Sequence, residues 1–295
     1  SIINYVSEQE KFSLKKGELN LEGLESKKFS VNQSSFLKNE NYTFTIFSKE
    51  SEDNVIAKIE RETFQLSELV INGRGVEIGK KGEVIKCSNC KLWTPMPLPK
   101  EDSKNCPNCD KKIFTKSDEK SFVIQSEKDS NYNKEILLGE DMGRYYSDIS
   151  SYLNLNFKGI NYKNPNIYRN PKIVIRKTGH GINASIDDSG AYAVQVVYLF
   201  YKKPKLDNEF INYSLTYLLG ILNSKLMKFY YFMKYADKKR KLFPHLIQEN
   251  ILRLPIKVID FDQSNKNNIF QSIESNAKRI LYLKNKLLSI LKIFL

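Results

Sequence analysis

An α+β fold is what this 295-residue sequence predicts: a curved, mostly antiparallel sheet with a zinc-ribbon insertion and C-terminal helices. Three observations predict it. Short β-branched or alternating segments crowd the stretch from about 135 to 203, the mark of strands. From Tyr213 onward the apolar spacing turns helical. Between them, the chain's four cysteines fall as Cys87-x-x-Cys90 and Cys106-x-x-Cys109 with fifteen residues in between. That is the spacing at which two tight knuckles offer four thiolates to one tetrahedral zinc ion.

Residues 1–41 are polar and read as a lead-in from an absent upstream domain. Tyr42 to Phe47 alternates aromatics with threonines, as a half-buried strand does. Val55 to Glu62 carries Val55, Ile56 and Ile59 at helical spacing, with Asp53 or Asn54 as caps. Leu66 to Ile71 leads into a glycine-marked segment from Gly73 to Gly82. In the ribbon's arm, Lys91 to Pro99 holds three of nine prolines, which hold it extended. Phe122 to Ser126 reads as a short strand and residues 127–134 as a polar linker. Lys172–Lys177, Ile182–Ile186 and Tyr192–Tyr201 follow as strands, and Asp187-Asp188-Ser189-Gly190 is expected to turn a hairpin between the last two. Tyr213 to Tyr235 has helical character. A second long helix spans 264–293, where Ile273, Ala277, Ile280, Lys284, Leu287 and Leu291 form a heptad seam with one lysine in it.

Lysine and arginine number 47 against 34 acids, a formal charge of +13. Four thiolates and one zinc ion would lower it to roughly +11. Such a surplus suits a polyanion, nucleic acid above all. No signal peptide and no apolar run of membrane-spanning length is present, so a soluble, cytoplasmic protein is expected, with no membrane partner. The serine at position 1 suggests a piece of a longer chain.

The ribbon's four ligands leave no position for water, so its zinc is expected to be structural. Lys86, Lys91, Lys111 and Lys112 flank it and offset its charge. Trp93, the only tryptophan, is expected against a knuckle. The glycine segment fails the dinucleotide pattern, because Ile78 stands where a third glycine belongs. It serves either as a turn between strands or as a backbone nest that brings Arg74, Lys80 and Lys81 to a phosphate. His180 sits in a glycine-flanked loop beside Arg176 and Lys177; His245 follows Pro244 and reads as structural. Lys238-Lys239-Arg240-Lys241 ends a helix, where cations suit both the helix dipole and a phosphate. No Asn-Pro-Pro-Tyr, no S-adenosylmethionine loop and no nuclease carboxylate cluster is written in the chain; Glu77 lacks a partner acid.

From about residue 42 the chain resembles the TaqI-like specificity domain, the C-terminal target-recognition region of adenine-specific DNA methyltransferases and fused restriction–modification enzymes. Five blocks in order carry the resemblance. They are Ile56–Glu62 with Leu66–Lys80, then Leu137–Tyr145, Pro171–Arg176, Tyr217–Leu226 and Leu252–Ile256. The ribbon, 84–115, is an insertion between the first two. The resemblance implies a recognition module, non-catalytic by itself, that grips double-stranded DNA while a methyltransferase catalytic domain, in cis or in trans, binds S-adenosylmethionine and modifies a flipped adenine.

The expected division is therefore 42–262 for target recognition and 263–295 for the C-terminal helix, which should pack on the helix at 213–235 or on a catalytic domain. Expected DNA contacts are Arg74, Lys80, Lys81, Arg144, Arg176, Lys177, His180, Lys238, Lys239, Arg240 and Lys241, with arginines suited to guanine and lysines to phosphate. Expected zinc ligands are Cys87, Cys90, Cys106 and Cys109. Two other classes compete: a metal-dependent nuclease built around Glu77, and a scaffold that holds protein partners through the ribbon and the heptad helix.

Overall fold

The computed structural model describes residues 2–4, 28–30, 50–79, 82–98, 101–179, 181–235 and 245–291. The chain divides into two compact units, residues 1–62 and 63–295. In the first, Ile2–Asn4 pairs antiparallel with Lys28–Ser30, and helix α1 spans Glu50–Glu60. This helix begins a turn earlier than Asp53 or Asn54 would have capped it; both lie inside it. Glu62, at φ 51°, ends the turn that follows. The strand expected at 42–47 lies outside the described residues.

The second unit is built on eight principal strands. They are β1 (Val70–Arg74), β2 (Ile124–Gln125), β3 (Tyr132–Leu137), β4 (Ser151–Asn154), β5 (Lys172–Arg176), β6 (Ala184–Asp187), β7 (Tyr192–Ala193) and β8 (Val197–Lys202). One four-stranded sheet runs β6-β5-β8-β1 and is wholly antiparallel; the other runs β2-β4-β3-β7, with β3 and β7 parallel. The predicted α+β class with mostly antiparallel pairing holds, and the strands are shared between two open sheets.

The expected hairpin across Asp187–Gly190 does not form. β6 and β8 both pair with β5, on opposite sides of it, so the hairpin is β5–β6. The run Tyr192–Tyr201 is broken at Val194–Val196, where the chain leaves one sheet for the other. Asp187 closes β6 with a local turn instead: its carboxylate bonds Lys172 on β5 and accepts from Ser189 N and Oγ, and the next strand, β7, pairs with β3 in the other sheet.

The two sheets share one core. Val174, Val197 and Leu199 from the first meet Ile136, Leu137 and Leu153 from the second, with Val76, Ile78, Val84 and Val123 beside them. Each full burial of such a side chain contributes about 1.5–3 kcal/mol. Ile173, Ile175 and Phe200 are equally buried on the opposite face of β5 and β8. Burial on both faces is why these strands read as unbroken apolar runs.

Beyond β8 lie α3 (Leu215–Leu222), α4 (Lys225–Tyr235), α5 (Gln248–Leu252) and α6 (Ser264–Leu291), the four-residue α2 (Asn166–Arg169) having preceded β5. The single helix expected over 213–235 is two. Ser214 caps the first through its Oγ, and Asn223 ends it because its side-chain amide is drawn out to both the N–H and the C=O of Ala184. As expected, α6 packs on α3. Gly220 makes the approach close: a Cβ there would stand 2.9 Å from Ile273 Cγ2. Phe270 stacks on Tyr217 at 4.3 Å. Only the start of the seam is covered: Ala277 is buried and Ile273 half-buried, whereas Ile280, Leu287 and Leu291 are exposed. No helix among the described residues is long and apolar enough to cross a membrane.

Candidate functional site

The ribbon places its four sulfurs within 4.8 Å of one another. Cys87 and Cys109 Sγ are 3.6 Å apart, as are Cys90 and Cys106. Tetrahedral zinc with roughly 2.3 Å bonds needs sulfurs roughly 3.8 Å apart, so the donor set fits. The two knuckles are built alike. In each, the first cysteine's C=O accepts from the residue four on (Lys91, Asp110), and its N–H reaches the carbonyl five on (Leu92, Lys111). Lys91 and Asp110 take positive φ, 61° and 58°, to close the loop. The Asn89 side chain lowers the Cys109 thiol to about 6, and the Leu92 backbone N–H lowers Cys90, whereas burial raises Cys106 to about 11. Two thiols are thus biased toward the thiolate a metal binds.

Three of the four lysines around the ribbon have local partners. Lys86 bonds Glu119 at 2.9 Å, Lys91 reaches Ser88 O at 2.6 Å and Lys112 lies over Phe114. Trp93 differs from the expectation. It packs edge-on to Phe157 at 5.1 Å and joins the main core, fastening the ribbon to the body. Gly159 permits this: at φ 103° it lies flush against Trp93 O, where a Cβ would stand at 2.5 Å.

A second constellation forms at one end of the first sheet. An open cleft of about 620 Å³ is lined by Asn72, Gly73, Arg74, Lys177, Tyr198, His245, Gln248 and Glu249, among others. Arg74 closes β1 opposite Tyr198, and Lys177 follows β5 directly. The segment 245–249 is stitched over them. Thr178 bridges His245, Leu246 N donates to Lys177 O, Tyr198 Oη donates to Leu246 O and Ile247 N reaches Tyr231 Oη. Gln248, 6% exposed, receives Arg74 Nε on Oε1 at 3.4 Å and donates Nε2 to Gly73 O at 2.9 Å. Glu249 is held by Arg253 at 3.7 Å.

Of the expected DNA contacts, Arg74 and Lys177 come together in this cleft. Arg176 lies one residue back, its Nε on Thr178 Oγ1 at 3.2 Å. Arg144 is elsewhere, its guanidinium donating to Asn223 O at the end of α3. Lys80, Lys81, His180, Lys238, Lys239, Arg240 and Lys241 lie outside the described residues. The glycine segment's Gly75 answers a packing need: the chain runs against Ala193 and Val194, where a Cβ would meet Ala193 O at 2.1 Å. Glu77 is bonded to Lys163 at 2.6 Å. Among the described residues, the four cysteines are the one group of His, Cys, Asp or Glu placed to hold a metal ion.

Sequence reasoning missed Asn72, Gln248 and Glu249 and took His245 for a purely structural residue. Gln248 stands 174 positions from Arg74, and nothing local marks an amide in a short helix as its partner.

Comparison with known proteins agrees with the resemblance. No curated protein matches the chain. The family profile described as the TaqI-like C-terminal specificity domain matches residues 134–256, less than half of the chain. The match takes in the blocks at 137–145, 171–176, 217–226 and 252–256, while the block at 56–80 and the ribbon precede it. The matched stretch contains Lys177, His245 and Gln248 of the cleft, and Arg74 is brought to them by β1. Residues 134–256 of this chain thus match the TaqI-like C-terminal specificity domain.

Proposed function

We propose that this chain is the target-recognition module of an adenine-N6 DNA methyltransferase or restriction–modification enzyme, reading double-stranded DNA and performing no reaction itself. The specificity-domain match carries the reading. The cationic cleft and the formal charge of +13 support it. Lys177 at the cleft would meet phosphate and help set the register, and Arg74 would meet a base edge. S-adenosylmethionine would belong to a catalytic domain in cis or in trans. The Ser264–Leu291 helix offers that domain its exposed face. Zinc at Cys87, Cys90, Cys106 and Cys109 would have a structural role, holding the two knuckles as one unit.

Fluorescence anisotropy with a labelled duplex, titrated at several salt concentrations, tests the reading. Six phosphate contacts predict a log–log slope of about −5. An affinity that ignores salt, or methyl transfer or DNA cleavage by the purified chain alone, would overturn it.

A further inference from the structure

We infer that Gln248 is a positioning residue that presents Arg74 to a guanine edge in the major groove, which makes Arg74 a specificity-determining residue. The inference rests on the DNA-reading function proposed above and deepens it.

Gln248 is buried and spends both ends of its amide. A backbone carbonyl can only accept, so the group facing Gly73 O at 2.9 Å is the NH₂, and the oxygen must face Arg74. The amide is therefore fixed in orientation by chemistry. Arg74 meets it through Nε alone. Among the described residues nothing else bonds its two terminal nitrogens, the pair that bridges two acceptors side by side. Its partner is a neutral amide, not a carboxylate, so the charge of Arg74 is not cancelled. Gly73, the residue before it, packs closely on Ile167, whose Cγ2 would stand 2.5 Å from a Cβ there.

Two ligand groups offer paired acceptors to such a fork: guanine O6 and N7, and two oxygens of one phosphate. A guanidinium held at its root by a buried, doubly bonded amide suits the first, because base reading depends on angle, whereas attraction to phosphate tolerates a mobile cation. Lys177 on the same cleft supplies that cation.

The test is selection of duplexes from a randomised pool by the purified chain, followed by affinity measurements on single-position variants of the selected site. Wild type should prefer one G·C pair by roughly 5- to 150-fold over the alternatives. Arg74→Lys keeps the charge, so its salt slope should stay while the preference at that one pair falls to near unity. Gln248→Leu should reduce the same preference with the slope intact. Gln248→Glu, which keeps an oxygen for Arg74, should restore part of it. Thermal melting identifies any Gln248 variant that fails to fold, and exposed Arg74 poses the question without disturbing a buried side chain. Selectivity unchanged in Arg74→Lys, or a loss spread evenly over all sequences, would overturn the inference and assign Arg74 to phosphate. Equal losses in folded Gln248→Leu and Gln248→Glu would remove the positioning role. If wild type enriches no sequence, the DNA-reading function itself falls.

Discussion

Lys172 is completely buried, which an ammonium tolerates only with a full set of partners. It has Asp187, also buried, and Tyr168 O at 2.7 Å. Burying the pair gives little net stability, yet breaking it is expensive, because the surviving charge stays behind unpaired. Asp187→Ala should therefore cost about 3–5 kcal/mol in urea unfolding. Replacing both partners by apolar residues of similar volume should recover most of that; a double variant no better than the single one would show that the turn, not the charge, was lost. Gly159→Ala is a second residue-scale case. Its φ of 103° and the carbonyl of Trp93 at 2.5 Å from a Cβ predict a loss of about 1–3 kcal/mol, with Trp93 fluorescence shifting red as the ribbon loosens. An unshifted emission would mean that Trp93 is anchored by other contacts.

At the scale of elements, the ribbon and α6 behave as attachments with different roots. The ribbon's own core is small: Ile85, Cys87, Cys106 and Ile113. A zinc ion at the proposed site would supply what this core lacks, so chelation should raise amide exchange across 84–115 while β3, β5 and β8 stay protected. Uniform deprotection of the chain would show the ribbon to be part of the main folding unit. In α6 the two halves should respond oppositely. Phe270, 3% exposed and stacked on Tyr217, should cost about 3–5 kcal/mol as Phe270→Ala. Leu287, 50% exposed, should cost within about 0.5 kcal/mol as Leu287→Ala. The heptad pattern was equally regular in both halves. What distinguishes them is that α3 ends at Leu222, and beyond it Leu287 and Leu291 stay exposed while Lys284 reaches over the Tyr146 ring.

For the whole molecule, the surplus of cations is a property of the chain, whereas the cleft is a property of the fold. Lys177→Ala should lower the magnitude of the salt slope by about 1 and weaken binding evenly across sequences. A change confined to one base pair would make Lys177 a reader. The α+β class, the ribbon and the long C-terminal helix were legible because each is encoded within a few neighbouring residues: side-chain period, cysteine spacing, glycine and proline placement. The cleft was not, because Arg74, Lys177 and Gln248 are contributed by β1, the end of β5 and the start of α5, which only sheet pairing brings together. The hairpin at Asp187–Gly190 misled for the same reason. Its residues suit a turn, and local chemistry made one, but the strand that follows pairs with β3 in the other sheet and not with β6. Local pattern decides what kind of element a segment becomes, since its energy comes from residues three or four apart. Long-range packing decides which elements meet, and so which charged groups share a surface, since that energy comes from contacts no short window contains.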